Sequence, residues 1–146
     1  MRSKPILLIA TDALEAQAWF AEQARASGYE AACCLTEEDV WQQARKNPLL
    51  ALIDAEAVSI GGQALCRRLK ALYPFLPQLV CLAPAANELD DWLAAGADDF
   101  FFKPLHWPLI AMRIKRFLEL SRLKEGMLAR EAHLQAGTDA YWNMRR

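Results

Sequence analysis

Long apolar runs are missing from this chain of 146 residues. All are under ten residues, so no segment has the length of a membrane-crossing helix. An excess of either charge is missing too: 17 Lys and Arg stand against 18 Asp and Glu. The formal net charge of −1 gives no footprint for nucleic acid or for an anionic membrane as partner. Met1-Arg2-Ser3-Lys4-Pro5 leads into an apolar run too short, and without the cleavage-site pattern, for a signal peptide. Cysteine is scarce. Cys33, Cys34, Cys66 and Cys81 form no CxxC pair and no His lies at ligand spacing, which argues against zinc. They read as small core residues in a reducing cytoplasm, the expected location. Thr11-Asp12-Ala13-Leu14, after the first apolar run, contains no glycine, which removes the phosphate-cradling loop of a flavin-binding enzyme. What remains is 54% hydrophobic and 24% charged, the composition of one globular domain with a real core.

Apolar runs of strand length alternate with stretches of helical spacing. Residues 6–10 form a continuous apolar run, as expected for a parallel strand buried on both faces. Residues 12–27 read as a helix stopped by Gly28, and 29–35 as a second strand. Thr36-Glu37-Glu38-Asp39 carries a capping signal and acidic first-turn residues for a helix ending near Asn47-Pro48. A third strand over 49–53 precedes a helix over 63–72, with Leu65, Leu69 and Leu72 on one face. Pro74 and Pro77 break the chain before a fourth strand at 79–82. Asn87-Glu88-Leu89-Asp90 caps a short helix ended by Gly96, 100–102 is the fifth strand, and Pro108 opens a last helix. Five such units in series predict an α/β fold: a doubly wound, five-stranded parallel sheet with helices on both faces and an extended C-terminal helix. Open sheets of this kind place their sites at the C-terminal strand ends. Asp12, Asp54 and Lys103 fall there, and two carboxylates with an ammonium make a candidate pocket for a metal ion and phosphoryl transfer.

Gly28-Tyr29, Leu52-Ile53-Asp54 with Gly62 eight residues on, Ala94-Ala95-Gly96-Ala97-Asp98-Asp99-Phe100 and Lys103-Pro104 occur in that order. Together they resemble a response-regulator receiver domain, the phospho-acceptor module of bacterial two-component signalling, over residues 5 to about 120. The resemblance implies a flavodoxin-like fold and a signalling module that is not an enzyme in the usual sense. It makes Asp54 the phospho-acceptor and Lys103 the ammonium that pairs with the acceptor or the phosphoryl group. Asp12 would help Asp54 hold Mg²⁺, with Glu56 either supplementing the metal, repelling a donor or lying on solvated surface. The Lys103-Pro104 bond resembles one that is often cis. A sensor histidine kinase or phosphotransfer protein is the implied partner.

Three departures qualify those roles. Thr11 stands where the family has the first of two adjacent acids, so the Mg²⁺ site is weakened. A register shifted by one residue would put Ala10 and Thr11 there, but spacing favours Thr11 and Asp12. Ala83 stands where the family has a hydroxyl that binds the phosphoryl group, and the switch aromatic is Phe100, without a phenol oxygen. A degenerate, phosphorylation-independent docking and dimerisation module is therefore the alternative.

Domain boundaries follow: 4–120 receiver, 121–136 helical linker, and 137–146 the start of a further domain. Leu109, Ile110, Met112, Ile114, Phe117 and Leu118 supply a face for the sheet. Leu120, Leu123, Met127 and Leu134 continue as an apolar seam, interrupted by Arg130, about two heptads long. Thr138-Asp139-Ala140-Tyr141-Trp142-Asn143-Met144-Arg145-Arg146 resembles the opening of a PAS domain or, with a gap, of a diguanylate cyclase domain, an output domain in either case. If the seam pairs two copies, a chain truncated after Leu120 loses its dimer in light scattering; an unchanged oligomeric state would sink the coiled coil.

Overall fold

In the computed structural model, which describes residues 4–124, the apolar runs become five strands. They are β1 (Ile6–Ala10), β2 (Glu30–Cys34), β3 (Leu50–Asp54), β4 (Gln78–Leu82) and β5 (Asp99–Phe102). All pair in parallel in the order β2-β1-β3-β4-β5, which is the doubly wound, flavodoxin-like arrangement expected. Helices α1 (Leu14–Ala26), α2 (Glu37–Ala44), α3 (Gly62–Leu72) and α4 (Leu89–Ala95) connect them. Right-handed crossovers put α1 on one face and α2, α3 and α4 on the other, because the chain changes direction across the sheet between β2 and β3.

Strand alternation accounts for the core. Leu8, Ala10, Ala51, Ile53, Val80 and Leu82 join Val40, Leu65, Leu69 and Trp92 in one cluster, on the face of α2, α3 and α4. Leu7, Ile9, Leu50, Leu52, Leu79 and Cys81 take the opposite face and are equally buried, as are Phe20, Ala21 and Ala24 of α1. A strand buried on both sides has no room for alternating polarity, hence the continuous apolar runs.

Local signals account for the ends of the elements. Thr36 caps α2 through a box in which its hydroxyl accepts from Asp39 N and the Asp39 carboxylate accepts from Thr36 N. The helix at 89–95 starts without the side-chain cap expected of Asn87-Glu88. In the segment 94–100, Ala95 and Ala97 are buried, and Gly96 has φ +111° with a Cβ position only 2.8 Å from Lys70 Cγ. A side chain there would be strained and would collide with α3. Asp98 accepts the Gln78 backbone N–H at 2.8 Å and pairs with Lys70, tying the start of β4 to α3. That motif therefore does architectural work: it sets β5 beside β4.

The chain divides into two units, Met1–Met112 and Arg113–Arg146. The first holds the sheet, its helices and helical residues 107–112; of the second, 113–124 are described and helical. In the first unit Ile110 is buried, as expected, but Leu109 and Met112 are about half exposed, so the buried stripe is narrower there than the sequence suggests. Leu120 and Leu123 are exposed. Met127, Leu134, most of the linker and the possible PAS or cyclase opening lie outside the described residues. Among the described residues no helix is long and apolar enough to cross a membrane.

Trp92 anchors α4 in the core at 2% exposure. Replacing it with alanine should lower the unfolding free energy by about 3–5 kcal/mol in urea denaturation. A loss below about 1 kcal/mol would show that α4 does not depend on it.

Candidate functional site

Strand parity brings the site together. Thr11 continues the side-chain row of Leu7 and Ile9, Asp54 that of Leu50 and Leu52, and Lys103 that of Asp99 and Phe101, all on the α1 face. The rows of β1 and β3 end side by side where the strand order reverses, the place at which open parallel sheets build sites.

Asp54 is only 6% exposed and Thr11 is fully buried. A buried carboxylate is costly unless its oxygens are hydrogen-bonded and its charge is paired. Both conditions hold. Asp54 Oδ2 accepts from Thr11 Oγ1 at 2.8 Å; Oδ1 accepts from Lys103 Nζ at 2.8 Å and from Glu56 N at 3.0 Å. Thr11 Oγ1 in turn accepts from Ala13 N, so its one proton is directed at Asp54. Lys103 is held by its backbone N–H to Leu82 O at 2.8 Å, and the Lys103-Pro104 peptide is cis, as the resemblance implies.

Lys103 Nζ also donates to Glu56 Oε1 at 2.9 Å. Burial pulls the ammonium's pKa down, but the hydrogen bonds and charges of Asp54 and Glu56 outweigh it and hold the value above that of ordinary lysine. The folded-state value is the higher one. This pairing therefore stabilises the fold below the ordinary value of 10.5 and is lost only as the pH climbs past the raised one. Behind the pair, burial and then the Asp54 charge push the Cys81 thiol up to about 12 against the pull of Lys103. Cys81 stays protonated and serves as packing.

The other predicted residues are placed differently. Asp12 follows Thr11 and so leaves the strand end with the opposite parity. Its exposed carboxylate accepts from Ser59 Oγ at 2.9 Å and from Ser59 N at 3.3 Å. Glu56 pairs with Lys103 while more than half of its side chain stays exposed. Ala83 follows β4 and presents a methyl group, its carbonyl accepting from Ala86 N at 3.1 Å. Phe100 packs on the core of the opposite face and does not join the Asp54 group.

A Mg²⁺ ion requires a near-octahedral set of oxygens. Among the described residues no three His, Cys, Asp or Glu side chains are grouped so as to hold a metal ion. Asp12 turns to Ser59, Asp54 to Thr11 and Lys103, and Glu56 to Lys103, so as arranged here the residues expected to hold Mg²⁺ are not gathered as one ligand set.

Sequence reasoning missed two parts of the surroundings. One is Ser59, which no motif marks. The other is an open groove of about 400 Å³ beside Asp54 and Lys103, lined by Ala16, Trp19, Phe20, Pro104 and Leu105. Trp19 meets Phe20 and Trp107 edge-on at 5.1 and 6.2 Å, and Trp107 Nε1 donates to Ser27 Oγ at 2.9 Å.

No protein-family profile matches the chain, and no curated protein matches it in sequence. Solved structures do match. A response regulator from Chloroflexus aurantiacus is 30% identical with a TM-score of 0.70, over 80% of this chain and 99% of that one. A CheY-like receiver domain protein from Methanospirillum hungatei is 23% identical with a TM-score of 0.74, over 84% of this chain and 99% of that one. NtrX from Brucella abortus is 22% identical with a TM-score of 0.74; the likeness covers 86% of this chain and 28% of that larger one.

Proposed function

We propose, from the premise that this chain belongs to the response-regulator receiver family, that it is a slow phosphoryl acceptor using Asp54. A receiver role in two-component signalling is what the family carries. The observation that supports this acceptor is the 2.8 Å pairing of Lys103 Nζ with Asp54 Oδ1 at the strand-order switch point. Phosphoryl transfer demands a nucleophile and a cation aimed at the charge developing on the phosphoryl oxygens. Asp54 Oδ2, held only by Thr11, would attack phosphorus. The Oδ2–P bond forms as the bond from phosphorus to the donor's leaving atom breaks, and that electron pair departs with the donor. Thr11 would turn its proton to a phosphoryl oxygen, and Lys103 would release Glu56 to meet the new charge.

The partners proposed with this reading are a sensor histidine kinase or phosphotransfer protein, and an output domain reached through the last helix, which would pair two copies in the cytoplasm. The likeness to 28% of a larger chain supports a module within a multidomain protein.

One observation favours a second reading, a phosphorylation-independent docking module. The Glu56 carboxylate already occupies Lys103 as an incoming phosphoryl group would, and Ala83 offers no hydroxyl to register the change.

Intact-mass analysis after incubation with acetyl phosphate, with and without Mg²⁺, separates the two readings. The first predicts a phosphoryl adduct on the wild type and none on Asp54→Asn. Glu56→Gln removes the competing charge and should speed adduct formation about tenfold, the kinetic equivalent of one hydrogen bond to a charged group. No adduct on either wild type or Glu56→Gln would leave the docking module.

A further inference from the structure

Asp12 and Ser59 form a contact that the proposed phosphoryl chemistry does not use. It joins three loops at the C-terminal edge of the sheet. Asp12 lies in the loop after β1, and its Oδ2 takes both the backbone N–H and the hydroxyl of Ser59, in the loop after β3. Ser59 Oγ also lies 3.1 Å from Leu35 O, in the loop after β2. Its single proton serves one of these two acceptors at a time, while the backbone N–H keeps Asp12 engaged in either state. Ser59 sits in a single 3-10 turn, Val58–Ile60, closed by Gly61 and Gly62 at φ +105° and +56°. Two glycines in the left-handed region let the chain double back, which brings the Ser59 amide to Asp12.

A hard divalent cation at such a strand edge does two things: it neutralises carboxylates, and it ties the loops that carry them. This chain does both with its own atoms. Lys103 supplies the positive charge between Asp54 and Glu56, and Ser59 ties the Asp12 loop to the others. We propose that the Asp54 pocket works without a divalent cation, with Lys103 in the charge role and the Asp12–Ser59 clamp in the structural role. This goes beyond the proposed phosphoryl chemistry, and its test uses binding and exchange, so it stands or falls apart from whether Asp54 is ever phosphorylated.

Isothermal titration of the full chain with Mg²⁺ to about 20 mM, beside Asp12→Asn and Asp54→Asn, reads the charge role; the ceiling lies far above the affinity of ordinary sensor sites for hard cations. The expected result is no saturable heat on the wild type. Saturable heat on the wild type that disappears in both variants would overturn the proposal. Saturable heat retained in both variants belongs to a cation elsewhere and leaves this pocket cation-free, as proposed.

Hydrogen exchange reads the clamp. Asp12→Asn should raise the exchange of segment 55–62 about tenfold, equally in EDTA and in Mg²⁺, which corresponds to one lost hydrogen bond to a charged group. Ser59→Ala keeps the backbone N–H and should give a smaller rise. A segment that exchanges alike in wild type and Asp12→Asn, or one that Mg²⁺ slows in the wild type, would show that the clamp does not stand in for a cation.

Discussion

A carboxylate buried at the end of β3 is the constraint from which the rest of this molecule follows. A carboxylate held out of water is costly unless donors surround it. The fold supplies them from two segments distant in sequence, Thr11 after β1 and Lys103 after β5, and from the Glu56 amide two residues on. Each requires its strand to end at the right level. Thr11 is level with Asp54 because Ala10 pairs with Ile53, and Lys103 reaches back because its own N–H is fixed to Leu82 O. The β5 register depends in turn on Gly96 and Asp98, far from the chemistry. A change at Gly96 would reach Asp54 through the position of Lys103.

Much of this was legible in the sequence, and the reason is parity. Strands buried on both faces leave uninterrupted apolar runs, so their ends stand out, and the charged residue that closes a run marks the site edge. Asp54 and Lys103 were found in that way. Asp12 stands one residue further on, and parity separates it from Asp54. The row through Leu7 and Ile9 lands on Thr11, so the hydroxyl faces Asp54 and the carboxylate one residue later turns to Ser59. Counting by twos along β1 would have assigned both. The pairings of Glu56 and Ser59 could not be found by any count. Their partners, Lys103 and Asp12, lie 47 positions away in the chain in each case, and only the folded loops bring them together.

The departures from the family pattern also stop looking independent. A site that relies on a metal needs adjacent carboxylates, and those repel one another until the metal arrives. Replacing one with Thr11 removes that repulsion and adds a proton donor for Asp54. The remaining acids, Asp12 and Glu56, are each given an internal partner. Each carboxylate of the set thus has a donor from the chain itself, and Lys103 offsets part of their charge.

That arrangement bears on which element can carry a signal. In a pocket with a hydroxyl after β4, a new phosphoryl group would pull on that loop; Ala83 has nothing to be pulled. The contact most open to competition would be Lys103 with Glu56, because Glu56 is the more exposed of the two carboxylates that Lys103 holds. Released, Glu56 would be a carboxylate next to fresh negative charge, and repulsion would drive it outward. Its loop continues through Ser59 to the paired glycines before α3, where the backbone can turn most cheaply. If Asp54 is phosphorylated as proposed, the segment between β3 and α3, and not the one after β4, would be the part whose position responds to the new charge.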